Sequence, residues 1–87
     1  MTARLTVLSR RWCHLCDDMV DLLMAVAVTA DVLIDIEDVD DDEALLASWD
    51  ELVPVLLDDE GQALCHYHLD VPAVYAYLAR FPIKSTD

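Results

Sequence analysis

The chain has 87 residues, 56% of them apolar, and 18 acidic side chains against 5 basic ones give a formal net charge of −13. This length allows one small domain whose apolar content is enough for folding without a metal or disulfide scaffold. The negative charge repels phosphate backbones and anionic lipid surfaces, so we expect binding to neither nucleic acid nor membranes. Gly61 is the only glycine, which excludes glycine-rich phosphate loops and dinucleotide fingerprints.

The apolar stretches and the cysteine count bear on where the protein works. The longest apolar stretch, "LLMAVAV", lies between Asp21 and Asp31 and is too short to cross a bilayer, and the first residues do not resemble a secretion signal. An odd number of cysteines without an export signal is typical of the reducing cytosol. We therefore expect a cytoplasmic protein in which a closely spaced cysteine pair is catalytic or binds a metal.

The first part of the sequence predicts a strand, a helix and a second strand. Residues 4–9 form a short apolar run, which favours a strand. From residue 13 to about residue 28, apolar side chains recur at helical spacing; they are Cys16, Val20, Leu23 and Ala27. In residues 31–38, apolar and acidic side chains alternate with the period of a half-buried strand. The side chains expected on its buried side are Val32, Ile34 and Ile36.

The second part predicts a helix, a β-hairpin and a final helix. Asp41 or Asp42 caps the first of these helices, whose apolar side chains are Leu45, Leu46 and Trp49. Two short apolar runs then flank "DDEG", which is a hairpin signal. Asp70 caps the last helix, and Pro72 lies in its first turn, where the missing N–H costs nothing. The expected apolar face of this helix consists of Val74, Tyr75, Leu78 and Phe81.

The resulting order, β-α-β-α-β-β-α, predicts a single α/β domain. Strands that alternate with helices favour parallel pairing of the first two strands through a right-handed crossover. The hairpin adds antiparallel strands to the same sheet. We therefore expect a four-stranded mixed sheet with helices on both faces.

Cys13 and Cys16 lie at the start of the predicted first helix, in "WCHLC". Residues three apart face the same side of a helix, so the two sulfurs can reach bonding distance. At the helix start, free backbone N–H groups and the helix dipole stabilise a thiolate on Cys13. Cys16 lies one turn further, on the apolar stripe. These positions favour Cys13 as an exposed nucleophile and Cys16 as a shielded resolving thiol.

Charged neighbours act on the predicted nucleophile in both directions. Arg10, Arg11 and a partly protonated His14 favour the thiolate, whereas Asp17 and Asp18 oppose it. The backbone amides and His14 are expected to be closer than the outward-facing acids. An activated thiol with a pKa of about 5 to 7.5 fits the range found in such motifs.

Pro54 begins the predicted third strand, in "LVPVLL". A proline at the start of a strand is typical of a specialised turn, and X-Pro bonds are the ones that adopt the cis form at low cost. A cis Val53–Pro54 bond would present the Val53 backbone to an extended substrate. A trans proline at a strand edge is the common alternative, and the residues alone leave both open.

The "CHLC" motif between first strand and first helix, "VP" at the start of the third strand and the element order together resemble the glutaredoxin-like branch of the thioredoxin-fold superfamily. More narrowly, the chain resembles small bacterial glutaredoxin-like proteins with a "CHLC" site and an "RVPVL"-like segment. The resemblance spans essentially the whole chain. It implies a thioredoxin-like fold and a thiol–disulfide oxidoreductase of cell redox homeostasis, with Cys13 attacking, Cys16 resolving and Pro54 as the cis-proline.

The resemblance also implies contacts with substrate. Val53 would supply backbone hydrogen bonds, and Asp70 matches the acid that holds the amine of glutathione. The other residues expected on the substrate face are Arg10, Arg11, Trp12 and His14. Glutathione-using members have a threonine before "VP" and a Gly-Gly pair before the last helix, where this chain has Leu52, and His68 with Leu69. Glutathione therefore stays open as reductant or co-substrate beside a reductase, and no resident cofactor is expected.

Two other functions stay open from the sequence. One is a non-catalytic binding module that docks a basic partner on its acidic surface. The other is a carrier of a metal or iron–sulfur cluster through the CxxC pair, for which Cys65, His66 and His68 are the further candidate ligands. No second CxxC or HxxxH supports that site, and Cys65 fits a packed strand position.

The acidic run "EDVDDDE" does not fit a calcium loop, because Glu43 stands where the loop needs glycine. A solvated helix start accounts for this run. For the catalytic function we expect a monomer whose partners are a disulfide-containing protein or a small thiol, together with a reductant.

Overall fold

The computed structural model describes residues 2–28 and 30–81, which form a four-stranded sheet flanked by three α-helices. The strands are β1 (Ala3–Ser9), β2 (Val32–Asp38), β3 (Val55–Leu57) and β4 (Ala63–His66). The helices are α1 (His14–Val26), α2 (Glu43–Trp49) and α3 (Val71–Leu78), and a 3-10 turn, Val39–Asp41, precedes α2. This order of strands and α-helices confirms the prediction. In the described ranges no helix combines the length and the apolar character that crossing a bilayer requires.

The strands lie in the order β2-β1-β3-β4. β2 runs parallel to β1, with Ala3 opposite Val32, as the predicted crossover requires. β3 is antiparallel to β1, with Leu8 opposite Val55, and β4 is antiparallel to β3. The sheet is therefore mixed, as predicted. Its register places the end of β1 beside the start of β3, so the segment leading into α1 and the residues before Val55 share one end of the sheet.

β1 is a central strand of the sheet and carries buried side chains on both of its faces. On one face, β1 packs against α1 and α3 in a cluster that contains Leu5, Val7, Met19, Leu23, Val74 and Tyr77. On the other face, Leu8 and Val55 pack with Val39 and with the partly buried side chains of α2. Each buried aliphatic side chain contributes about 1.5–3 kcal/mol through the hydrophobic effect. Two packed faces thus fix β1, and with it the chain that leads into α1.

Asp42, rather than Asp41, is the N-cap of α2. Its Oδ1 accepts hydrogen bonds from the amides of Ala44 at 2.8 Å and Leu45 at 3.2 Å. Asp41 instead lies in the preceding 3-10 turn. The side chains predicted on α2 do face the core: Leu45, Leu46 and Trp49 pack as half-buried residues against the second cluster.

Two predicted burial patterns are wrong. Tyr75 was expected on the apolar face of α3, but it is 57% exposed while Tyr77 is 3% exposed. Tyr77 lies three residues after the buried Val74, the spacing that brings two side chains onto one helix face. Tyr75 directly follows Val74 and therefore points away from that buried face. Ile36 was expected to be half-buried and is 51% exposed, because β2 is an edge strand that neighbours cover only in part.

Candidate active site

Cys13 and Cys16 form a disulfide at the N-terminus of α1, with their Cα atoms 5.2 Å apart. Cys13 is the N-cap residue with an extended backbone, and Cys16 lies in the first turn of the helix. Cys13 is half-buried, whereas Cys16 is only 2% exposed. The helix positions are those that the spacing predicts, but Cys13 is half-buried rather than exposed, although it is the more accessible of the two.

The backbone of α1 holds the sulfur of Cys13. The amide of Cys16 donates to Cys13 Sγ at 3.1 Å, and the amide of Asp17 donates to the Cys13 carbonyl oxygen at the same distance. The sulfur thus occupies the place of the side-chain oxygen in an ordinary N-cap. When the disulfide is reduced, this amide and the helix dipole stabilise a thiolate on Cys13.

A tight turn at Arg11 and Trp12 connects β1 to Cys13. Trp12 has a φ of 61°, in the left-handed region that non-glycine residues seldom adopt. Its side chain is 98% exposed, so it contributes almost nothing to the core. A large aromatic side chain held in solvent next to Cys13 is available for contact with another molecule.

Arg10, directly after β1, is held by two ion pairs. Its Nη2 lies 2.9 Å from Asp40 Oδ1 and 2.8 Å from Asp50 Oδ1. The hydrogen bonds that the guanidinium donates to Asp40 and then to Asp50 raise its pKa above the ordinary value. The sequence predicts that Arg10 supports the thiolate and lines the substrate face; in the structure its charge instead pairs with Asp40, in the middle of the 3-10 turn, and with Asp50, the C-cap residue of α2.

Arg11 and His14, the other cationic neighbours predicted from sequence, are both exposed. Arg11 makes no ion pair with any residue in the ranges 2–28 and 30–81. It precedes Cys13 by two positions in the turn, and His14 is the first residue of α1. Of the two predicted arginines, Arg11 is therefore the one whose charge is free to act near the disulfide.

The Val53–Pro54 peptide bond is cis, which the resemblance implied and the residues alone left open. Pro54 is fully buried, Val53 is half-buried, and Val55 pairs with Leu8 at the end of β1. The strand register therefore places Val53 and Pro54 at the same end of the sheet as the turn that carries Cys13.

Tyr67 holds the segment in front of Pro54, a role that the sequence analysis missed. Its amide donates to the Pro54 carbonyl oxygen at 2.8 Å, and its hydroxyl donates to the Glu51 carbonyl oxygen at 2.7 Å. Tyr67 has a φ of 66°, directly after β4. Both partners are backbone atoms more than ten residues away, so no local pattern in "CHYH" could reveal the contact.

Asp70 is the N-cap of α3, with Oδ1 accepting from the amide of Ala73 at 3.1 Å. This confirms the predicted cap and accounts for the residue without glutathione. Cys65 lies nearby on β4, half-buried against the core as predicted. Burial raises the pKa of the Cys65 thiol, and a hydrogen bond from the Asp70 backbone offsets this only in part.

A shallow groove of about 140 Å³ runs between α1 and the segment after β4. Its apolar side is formed by Leu15, Leu22 and Tyr67, each of which is 40% exposed or more. Asp18 and His68 supply its polar edge. Leu15 separates the two cysteines in sequence, so a molecule in this groove would lie against the first turn of α1.

The structure also bears on the metal alternative. Among residues 2–28 and 30–81, no three side chains of histidine, cysteine, aspartate or glutamate come together in a group that could hold a metal ion. The further ligands considered from the sequence, Cys65, His66 and His68, therefore do not join the Cys13–Cys16 pair in such a group.

The family model of a glutaredoxin-like domain (DUF836) matches residues 4–79, which include the cysteine pair, the cis-proline and Asp70. The chain belongs to this family. No curated relative matches it. The fold and the Cys13–Cys16 pair therefore make this glutaredoxin-like domain a redox-type protein of the thioredoxin fold.

Solved structures share this fold. A Nitrosomonas europaea protein solved by solution NMR is 34% identical, with a TM-score of 0.79 over 87% of this chain and 91% of that one. An X. campestris protein is 35% identical; its crystal structure gives a TM-score of 0.66 over 90% of this chain and 99% of that one. The solution structure of that protein gives 0.62 over 91% and 96%. These similarities confirm the predicted thioredoxin-like α/β fold of the glutaredoxin-like domain.

Proposed function

We propose that this glutaredoxin-like domain is a thiol–disulfide oxidoreductase in which Cys13 is the nucleophile and Cys16 is the resolving thiol. One observation carries the proposal: Cys13 caps α1 with its sulfur at an amide of the first turn, and it is bonded to a Cys16 that the core covers. An accessible sulfur at a helix N-terminus is activated as a thiolate. The covered sulfur is protected from solvent and adjacent to the first.

The proposed reaction has two exchange steps. In the first, the Cys13 thiolate attacks one sulfur of a substrate disulfide, forms a mixed disulfide and releases the other substrate sulfur as a thiolate that takes up a proton. In the second, Cys16 loses its proton and attacks Cys13 Sγ, which releases the second substrate thiol. The substrate gains two electrons and two protons, and the protein is left with the Cys13–Cys16 bond. A thiol reductant, glutathione or the dithiol of a reductase, then reopens that bond.

The surroundings of the disulfide support proposed roles for four other predicted residues. Trp12 and Arg11 are exposed in the turn before Cys13, and they are proposed to contact the substrate together with His14. Val53, in front of the buried Pro54, is proposed to offer its backbone to an extended substrate. The physiological setting proposed for this reaction is a monomer in the cytoplasm.

The test is a redox titration of the purified protein in dithiothreitol buffers, with the Cys13–Cys16 bond read by alkylation and mass spectrometry. We expect a reversible bond with a potential of about −180 to −300 mV, the range of working dithiol oxidoreductases. Cys13→Ser should abolish turnover of a disulfide substrate. Cys16→Ser should accumulate the mixed disulfide, because the second step has lost its nucleophile.

Cys65→Ser is the matched control, since it removes a cysteine that lies outside the disulfide. It should leave both the potential and the turnover unchanged. Full activity of Cys13→Ser, or the absence of a Cys13–Cys16 bond across the whole titration, would show that the domain is not this oxidoreductase and would favour a non-catalytic binding module.

A further inference from the structure

Acidic side chains line the grooves on both sides of α1. The groove that contains Leu15 and Tyr67 is bordered by Asp18. A second groove, of about 360 Å³, begins at Cys16 on the other side of the helix; its remaining lining residues are Ser9, Asp17, Val20, Asp21 and Ile36. All three aspartates are exposed. A substrate that approaches the disulfide along either groove therefore meets negative charge within two turns of Cys13.

Positive charge near the disulfide does not balance these acids. Arg10 is neutralised by its ion pairs with Asp40 and Asp50. Arg4 pairs with Asp35 and lies at the start of β1, the end of the strand away from the turn. Arg11 is the cation next to Cys13 that has no ion pair within residues 2–28 and 30–81. Around the first two turns of α1, the charge of Arg11 is therefore outweighed by those of three aspartates, in a chain of net charge −13.

We infer that Asp17, Asp18 and Asp21 determine specificity, and that they select disulfides within lysine- or arginine-rich protein segments. The inference rests on the proposed function, because the site is the Cys13–Cys16 pair and the acids decide which disulfide reaches it. Apolar side chains of such a segment fit the groove of Leu15 and Tyr67, while its cations lie beside Asp18. Oxidised glutathione carries net negative charge, so the same acids disfavour it.

The selection acts mainly on the rate of encounter. A field of one sign around a reactive group raises the local concentration of oppositely charged substrates and accelerates association by tenfold or more at low ionic strength. The screening length falls from about 30 Å at 0.01 M salt to about 3 Å at 1 M, so the preference must fade as salt is added. Covalent chemistry at Cys13 is the same for either substrate.

The test uses two disulfide-linked peptide dimers that differ only in the residues flanking cysteine, lysine in one and glutamate in the other. Prereduced protein is mixed with each dimer at pH 7.5, and formation of the Cys13–Cys16 bond is followed by acid quench and alkylation. Each rate constant is divided by that for dithiothreitol with the same dimer, which removes the intrinsic difference in disulfide reactivity. We expect the normalised constant of the lysine dimer to be about tenfold higher or more at 0.01 M salt and within about twofold at 1 M.

Two charge reversals locate the effect. Asp18→Lys and Glu60→Lys each add two positive units, but Glu60 lies exposed in the β3–β4 turn at the far end of the sheet. At 0.1 M salt, where the screening length is about 10 Å, Asp18→Lys should lower the lysine preference by about threefold or more, and Glu60→Lys by less than about twofold. Asp21→Lys provides a second local reversal, and the salt series on the unaltered protein needs no variant.

The outcomes separate this inference from the proposed function. Equal normalised rates for the two dimers, or a preference that 1 M salt does not reduce, would overturn the charge selection while leaving the oxidoreductase intact. Equal effects of Asp18→Lys and Glu60→Lys would overturn the role of the acids on α1. If neither dimer oxidises the cysteine pair, the proposed function fails and the inference fails with it.

Discussion

Asp70→Ala is expected to destabilise the domain through the cap of α3. Asp70 has an extended backbone, and its Oδ1 accepts from the Ala73 amide at 3.1 Å, so alanine would leave that amide without its side-chain partner. Loss of an N-cap costs about 1 kcal/mol, within a range of about 0.5–2. α3 brings Val74 and Tyr77 to the core, so fraying at its start weakens packing on β1. For a domain of this size the shift in Tm is about 4–8 °C.

Asp70→Asn is the matched variant, because asparagine caps helices about as well as aspartate and removes only the charge. Urea unfolding of both variants, at equal m-values, measures the difference in the free energy of unfolding. We expect Asp70→Asn to lie within about 0.5 kcal/mol of the unaltered protein. An Asp70→Ala variant as stable as the unaltered protein would refute the capping argument.

The same pair of variants tests whether Asp70 also holds the amine of glutathione, as the resemblance implies. A cap needs only an acceptor, whereas an ammonium group requires the carboxylate charge. If capping is the whole role, Asp70→Asn reacts with oxidised glutathione within about twofold of the unaltered rate. A loss of tenfold or more with unchanged stability, which corresponds to about 1.4 kcal/mol, would instead show that the charge binds substrate.

Two further outcomes follow from the core. Tyr77→Phe removes the hydroxyl that donates to the Arg4 carbonyl oxygen at 3.0 Å, and it should lower the free energy of unfolding by about 1 kcal/mol in urea titration. Tyr75→Phe, at an exposed position, should change that free energy by less than about 0.5 kcal/mol. Equal effects of the two variants would contradict this assignment. Cys65 should react with iodoacetamide far more slowly than Cys13 in the reduced protein at pH 7, because burial raises its pKa. The unfolded chain loses the Cys65 proton at a lower pH than the folded protein does. The stabilisation linked to the protonated thiol is therefore complete below the ordinary thiol pKa and declines as the pH rises towards the pKa of the folded state. Cys65→Ser should lack this decline.

The elements and the cysteine site could be predicted because their signals are local. Period-two and period-3.6 patterns identify strands and helices within a few residues, and aspartates such as Asp42 and Asp70 cap helices through amides two or three positions away. The placement of Cys13 and Cys16 follows from the same short range. A helix that begins between them separates an N-cap sulfur from a core sulfur.

Contacts between distant segments could not be predicted from the sequence. The position of Arg10 in the chain predicts a role at the active site, but its guanidinium pairs with Asp40 and Asp50. These acids follow β2 and α2, and only the folding of these two elements brings them close to Arg10. Tyr67 binds the carbonyls of Glu51 and Pro54 only because β4 pairs with β3. These contacts depend on tertiary structure that no short pattern encodes.

In the proposed reaction, the acids of α1 act with unequal strength on the Cys13 thiolate and on the incoming substrate. The Cys13 sulfur is fixed 3.1 Å from the Cys16 amide, a contact inside the protein that salt screens little. Asp17 is exposed, so its repulsion of a thiolate on Cys13 acts through solvent and is weakened by water and ions. An incoming substrate meets all the acids of this helix before it forms any bond, and it is attracted or repelled over the whole screening length. In the proposed reaction, the helix N-terminus therefore sets the reactivity of Cys13, while the exposed aspartates are proposed to select the disulfides that reach it.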